Sequence, residues 1–168
     1  NKPEEKRQLY TERKGWIDLK HFFASANLVQ SGQTATEVLW LGEAKEVLQY
    51  ATGNPSGFGY EDLQSNLQGA VFGMNFSGLK DDDFYAAFES YFKDILKVST
   101  FDDAPNKNYI VDDQNELEQK QANGNRIKHY SYKPLFRKRE YKDEKVSKYG
   151  ELLKKYKLNE NKKVEEVK

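Results

Sequence analysis

Apolar residues recur at helical spacing in several stretches of the chain. Between Trp16 and Leu28, the residues Trp16, Leu19, Phe23 and Ala26 fall on one face of a helix at 100° per residue, and Gly32 marks its end. Thr36 to Tyr50 predicts a second helix, with Thr34 or Thr36 as N-cap and Val38, Leu39, Leu41, Val47 and Leu48 as its apolar positions. The Gly/Pro-rich run Thr52 to Gly59 predicts a long loop. A third helix is expected over Tyr60 to Met74, where Ser65, Gly69 and Gly73 recur every four residues. Each glycine weakens a helix by about 1 kcal/mol, so this small-residue stripe predicts a second backbone packed close against it. Asp81-Asp82-Asp83 opens a fourth helix, because acidic residues complement the dipole at a helix N-terminus. That helix runs to about Val98, with Phe84, Ala87, Phe88, Tyr91, Phe92 and Ile95 as its apolar stripe.

Elsewhere the pattern loosens. The first dozen residues read as a charged lead-in, and Asn106 to Asn125 is polar, with a short extended candidate at Tyr109-Ile-Val111. Arg126 to Tyr141 reads as extended or irregular and is broken by Pro134. A last helix is predicted from Asp143 to Leu158 through Val146, Tyr149, Leu153 and Tyr156. The charged residues 159–168 read as a disordered tail. The expected fold class is mainly α: about five helices around an aromatic-rich core, with at most a short β-ribbon from the 105–135 region. One helical domain would span 1–158, ending in a basic C-terminal arm and helix from about 126.

Composition modifies this picture in three ways. The chain has 168 residues, the size of one domain, but only 37% are apolar and the mean hydropathy is −0.95. Ten Phe, eleven Tyr and two Trp compensate, because a few large rings fill a core that would otherwise need more aliphatic side chains. The formal net charge of zero conceals a split: residues 1–125 hold twelve Lys/Arg against twenty Asp/Glu, and residues 126–168 hold fifteen against seven. The basic end then either docks on the chain's own acidic body or binds an external acidic partner. Finally, the absence of Cys excludes disulfides, thiolate metal sites and a thiol nucleophile. No apolar run approaches the roughly 18 residues of a membrane span. The chain begins at Asn1 rather than Met, so a cleaved signal or a larger parent protein is expected upstream.

Candidate chemistry gathers in two places. Asp18, His21 and Ser25, at i, i+3 and i+7 of the first predicted helix, share a stripe apart from its apolar face. A carboxylate beside an imidazole holds its tautomer and raises its basicity, as a general base or a metal-ligating His requires. An ordinary hydrogen-bonded pair fits the same spacing. The second place is Glu61, Asp62, Ser65 and Asn66, where a loop meets a helix start; acidic first-turn residues and small packing residues would account for it equally well. Together they predict His21 with Glu61 or Asp62 as an acid/base set, oriented by Asp18, Ser65 and Asn66. A paired-carboxylate scheme of the glycosidase type is available from Glu61 with Asp18 or Glu43. A metal site built on His21 and carboxylates is chemically available. With two His in the chain and no H-E-x-x-H or multi-His spacing it is disfavoured and no metal ligand is assigned; the sequence leaves the cofactor unknown. Phosphate-loop, dinucleotide and nucleophile-elbow signatures are missing. Arg126 to Arg139 interleaves cations with aromatics, which suits single-stranded nucleic acid or an anionic glycan. An arm anchored by Tyr130, Tyr132 and Phe136 over the acidic body is the preferred reading, ahead of nucleic acid.

The pieces Gly15-Trp-Ile-Asp-Leu-Lys-His-Phe-Phe23 and Tyr60-Glu-Asp-Leu-Gln-Ser-Asn-Leu-Gln-Gly69 resemble a pattern in uncharacterised bacterial proteins associated with secreted polymorphic toxins or contractile-injection cargo. In these a G-W-x-D-x-x-H helix precedes a Y-E-D-L-x-S-N-x-x-G segment. The resemblance covers about 60 residues and excludes the basic third; Gln64 stands where a proline is expected. It implies that Asp18, His21, Glu61, Asp62, Ser65 and Asn66 belong to one site. The resulting expectation is a secreted or periplasmic bacterial effector-like domain, a hydrolase of an envelope polymer such as a glycan. His21, Asp18 and Glu61 would be catalytic, and Asp62, Ser65 and Asn66 would bind. The rival expectation is a non-catalytic module that binds an acidic partner through its basic C-terminal segment.

Overall fold

The computed structural model describes residues 8–52, 60–100, 103 and 150–168, with backbone alone at 49, 50, 60 and 61. The elements are β1 (Gln8–Thr11), β2 (Gly15–Asp18), α1 (Leu19–Gln30), α2 (Ala35–Ala51), α3 (Tyr60–Phe76) and α4 (Asp81–Ser90). A π-helical extension of α4 covers Tyr91–Leu96, and β3 (Val98–Ser99), β4 (Tyr156–Leu158) and β5 (Val164–Glu166) complete the set. As expected, the chain is mainly helical around a buried aromatic cluster. Phe22, Phe72, Phe76 and Tyr91 are almost completely buried. Phe22 meets the rings of Phe72, Phe88 and Phe92 at centroid distances of 5.4, 6.0 and 5.1 Å, within the range where aromatic pairs add stability beyond simple burial.

Two of the expected helix starts are confirmed in detail. Thr34 and Glu37 form a capping box at α2: Glu37 N–H donates to Thr34 Oγ1 at 3.2 Å, and Thr34 N–H donates to Glu37 Oε2 at 2.8 Å. Asp81, Asp82 and Asp83 occupy the first turn of α4.

The N-terminal reading needs correction. Trp16 to Asp18 is a strand, so the first helix begins at Leu19. The lead-in supplies β1, which pairs antiparallel with β2 in the register Tyr10↔Trp16 and also with β3. A short apolar run fits either period. Here the choice falls to Gly15, whose φ of 71° closes the turn after Thr11, and to the Tyr10–Trp16 ring pair at 5.3 Å across the strands.

The C-terminal reading also changes. The described helical turn is 150–153; Tyr156 to Leu158 is a strand, and residues 156–166 form a hairpin rather than a disordered tail. Its alternate residues Tyr156 and Val164 are buried, and Val164 N–H donates to Ser90 Oγ at 2.7 Å. Asn75 Oδ1 accepts from Tyr156 N–H at 2.8 Å, and Lys162 pairs with Asp83. Two buried apolar residues and three anchors hold a segment whose composition is otherwise that of a solvated end. Among the described residues the antiparallel pairings thus join the N-terminal strands to Val98–Ser99 and close the C-terminal hairpin. The 105–135 ribbon, the basic stretch 126–141 and the start of the last predicted helix lie outside the described residues.

The site is positioned by α1 and α3, the most extensive helix–helix contact. A Cβ built on Gly69 would meet Phe22 O at 2.1 Å, and one on Gly73 would meet Ala26 O at 2.6 Å. Ser65 Oγ accepts from Asp18 N–H at 2.7 Å. The predicted stripe Ser65/Gly69/Gly73 therefore packs on Asp18/Phe22/Ala26, residue for residue, with both sequences rising together. Helices α1 and α3 run parallel, backbone against backbone, and their N-termini lie at the same end. Helix α2 joins the pair through Gly42, beside the Asn66 side chain.

Candidate functional site

At that shared end, three side chains from two segments converge. Asp18 is the N-cap of α1; its side chain is buried, and Oδ1 accepts from Lys20 N–H at 2.8 Å. His21 lies in the first turn of α1, and Asp62 in the first turn of α3. His21 Nε2 is 3.2 Å from Asp62 Oδ1, with side-chain exposures of 19% and 11%. Asp18, His21 and Asp62 each present one nitrogen or oxygen ligand atom, all within 4.8 Å of one another.

The parallel packing explains this convergence. His21 and Ser25 are one turn apart on α1, and Asp62 and Asn66 are one turn apart on α3. They form two rungs, His21 to Asp62 and Ser25 Oγ to Asn66 Oδ1 at 3.0 Å, the second buried. Two buried carboxylates at one point would ordinarily repel. Here both sit at helix N-termini, where each dipole supplies roughly half a positive charge, and the imidazole lies beside one of them.

All the described candidates, Asp18, His21, Asp62, Ser65 and Asn66, thus meet at one place. Their roles differ from the helical-stripe picture. Asp18 precedes α1, fixed there through its backbone by Ser65, and Asp62 brings a second carboxylate to 3.2 Å from His21 Nε2. Ser25 is a buried structural partner of Asn66. The side chain of Glu61, the second catalytic carboxylate of the sequence reading, lies outside the described residues. Glu43 is half-buried, and the fully buried carboxylate of α2 is Glu46, which sequence reasoning missed. Its position one turn beyond Gly42, on the face that meets α3, was the available signal.

No helix among the described residues is long and apolar enough to cross a membrane. Comparisons with protein-family models, curated proteins and solved structures found no match.

Proposed function

We propose that the chain is a hydrolytic domain of a secreted or injected bacterial effector, acting on an envelope polymer such as a glycan. The observation that supports this reading is the His21–Asp62 pair, 3.2 Å apart and partly open to solvent beside Asp18. With Asp62 accepting the Nε2 proton, the neutral imidazole carries its lone pair on Nδ1. In that state His21 takes a proton from an attacking water and returns it to the leaving group. Such general acid–base catalysis supplies about 10²–10⁴-fold in rate. Asp18 organises the strand-to-helix junction that carries His21, and Glu61 remains the second carboxylate on sequence grounds.

The test is release of soluble fragments from purified bacterial sacculi, read beside growth on expression in periplasm and cytoplasm. Wild type should solubilise wall material and be toxic in the compartment that holds its substrate. His21→Ala should lose about two orders of magnitude or more. Inert wild-type protein in both assays refutes the reading. A second reading, an interaction module for an acidic partner, draws on the charge split and on exposed Trp40 and Leu48 of α2, at 68% and 65%. It requires salt-sensitive binding that is lost when the Lys and Arg residues of the basic stretch 126–139 are replaced by Gln, the core hairpin 156–166 being left intact.

A further inference from the structure

We infer that Asp18, His21 and Asp62 form a binding site for a divalent transition-metal ion of the Zn²⁺ or Mn²⁺ class. The inference is separate from the hydrolase reading, since a catalytically inert protein could hold the same ion.

Three observations carry it. The donors are of the right kind: one imidazole nitrogen and two carboxylates, with no thiolate, a set suited to Zn²⁺ or Mn²⁺. They are also close enough. Nitrogen and oxygen ligands lie about 2.0–2.2 Å from such an ion, so two of them span at most about 4.4 Å. The ligand atoms here all lie within 4.8 Å of one another, so a small side-chain rotation closes the set. Lastly, the carboxylates are not surface acids. Asp18 is 1% and Asp62 8% exposed, and buried charge requires compensation by a partner of opposite sign or by a metal. An ion bound by His21 and both carboxylates would add to the compensation that the two helix dipoles and the partners already present supply.

The supporting groups are in place. A carboxylate has about four lone-pair positions, so the Lys20 N–H bond to Asp18 Oδ1 leaves capacity for a metal. Ser65 holds the Asp18 backbone, and the Ser25–Asn66 bond locks the helix pair one turn below. Three protein ligands leave at least one coordination position for water, and the partly exposed His21 edge gives a route in. A His-poor sequence conceals such a site, because its ligands come from segments about 40 residues apart and are aligned only by the α1–α3 register.

The test uses the full chain, stripped with chelator and dialysed separately against ZnCl₂, MnCl₂ and MgCl₂, with bound metal measured by elemental analysis and folding by circular dichroism. About one equivalent of Zn²⁺ or Mn²⁺ should bind, with little Mg²⁺, and Tm should rise by several degrees at a hundredfold excess over Kd. Asp62→Asn and His21→Gln should each weaken binding at least tenfold. Asp18→Asn keeps an N-cap acceptor, so it decides the matter if the other variants fail to fold. No bound metal in the wild type, or equal binding in a folded variant, overturns the inference. Metal binding without wall hydrolysis sinks only the hydrolase; hydrolysis by chelator-treated protein that binds no metal sinks only this site.

Discussion

Replacing Gly69 with alanine tests the helix packing on which the site depends. Taken alone, the substitution favours α3, because alanine improves helix propensity by about 1 kcal/mol. The tertiary structure reverses the sign. The added methyl would lie 2.1 Å from Phe22 O, 2.8 Å from Phe22 C and 2.9 Å from Phe22 Cα. These are backbone atoms, so no side-chain rotation relieves the clash. Reaching an ordinary contact of about 3.4 Å would require α1 to retreat by about 1.3 Å. That movement withdraws the fully buried Phe22 from its ring partners and stretches the 2.7 Å bond from Asp18 N–H to Ser65 Oγ. Overpacking of this kind costs about 1–3 kcal/mol, and weakening a buried hydrogen bond adds about 1 kcal/mol. Against the propensity gain, the net destabilisation is about 2 kcal/mol, or roughly 4–8 °C in Tm for a chain of this size. The assay is thermal and urea unfolding of Gly69→Ala beside Gly150→Ala. Gly150 is helical, and a Cβ there meets nothing within 4 Å, so that variant should be neutral or slightly stabilised. Equal or higher Tm for Gly69→Ala would refute the close approach of α1 and α3, and the register that builds the site with it.

Two further outcomes follow from the same structure. Thr34→Ala removes one half of the α2 capping box and should destabilise by about 0.5–2 kcal/mol in urea melts; an unchanged midpoint would refute the cap. Glu151 is desolvated, which raises its pKa, yet bonds from Lys14 and Lys154 outweigh this and hold the carboxyl below its ordinary value. A lowered folded pKa contributes stability above the unfolded value of about 4.5 that is lost as pH falls through the folded value. The stability advantage of wild type over Glu151→Gln should therefore be full at pH 7 and shrink below about pH 4.5; a constant advantage down to pH 3 would contradict this pairing.

The helices were legible wherever one face is apolar over several turns. The boundaries of α2 and α3, the Thr34 cap, the acidic start of α4 and the close-packed side of α3 are all written in local spacing, because helix formation and capping depend on neighbours three or four residues away. The membership of the candidate site was legible in part, since Asp18, His21, Asp62, Ser65 and Asn66 stand near helix starts. Three features were decided only by tertiary structure. Trp16 to Asp18 became strand because Gln8 to Thr11 offers hydrogen bonds from across a turn, which no single-segment period reports. Residues 156–166 became a hairpin because Ser90, Asn75 and Asp83 anchor a stretch too charged to fold by its own burial. The approach of Asp62 to His21 was set by register. Spacing along one helix pointed to Asp18, and the parallel approach of α3, permitted by glycines at 69 and 73, adds Asp62 at 3.2 Å. Spacing within a segment determines which residues share a face; only the packing of two backbones determines which faces meet.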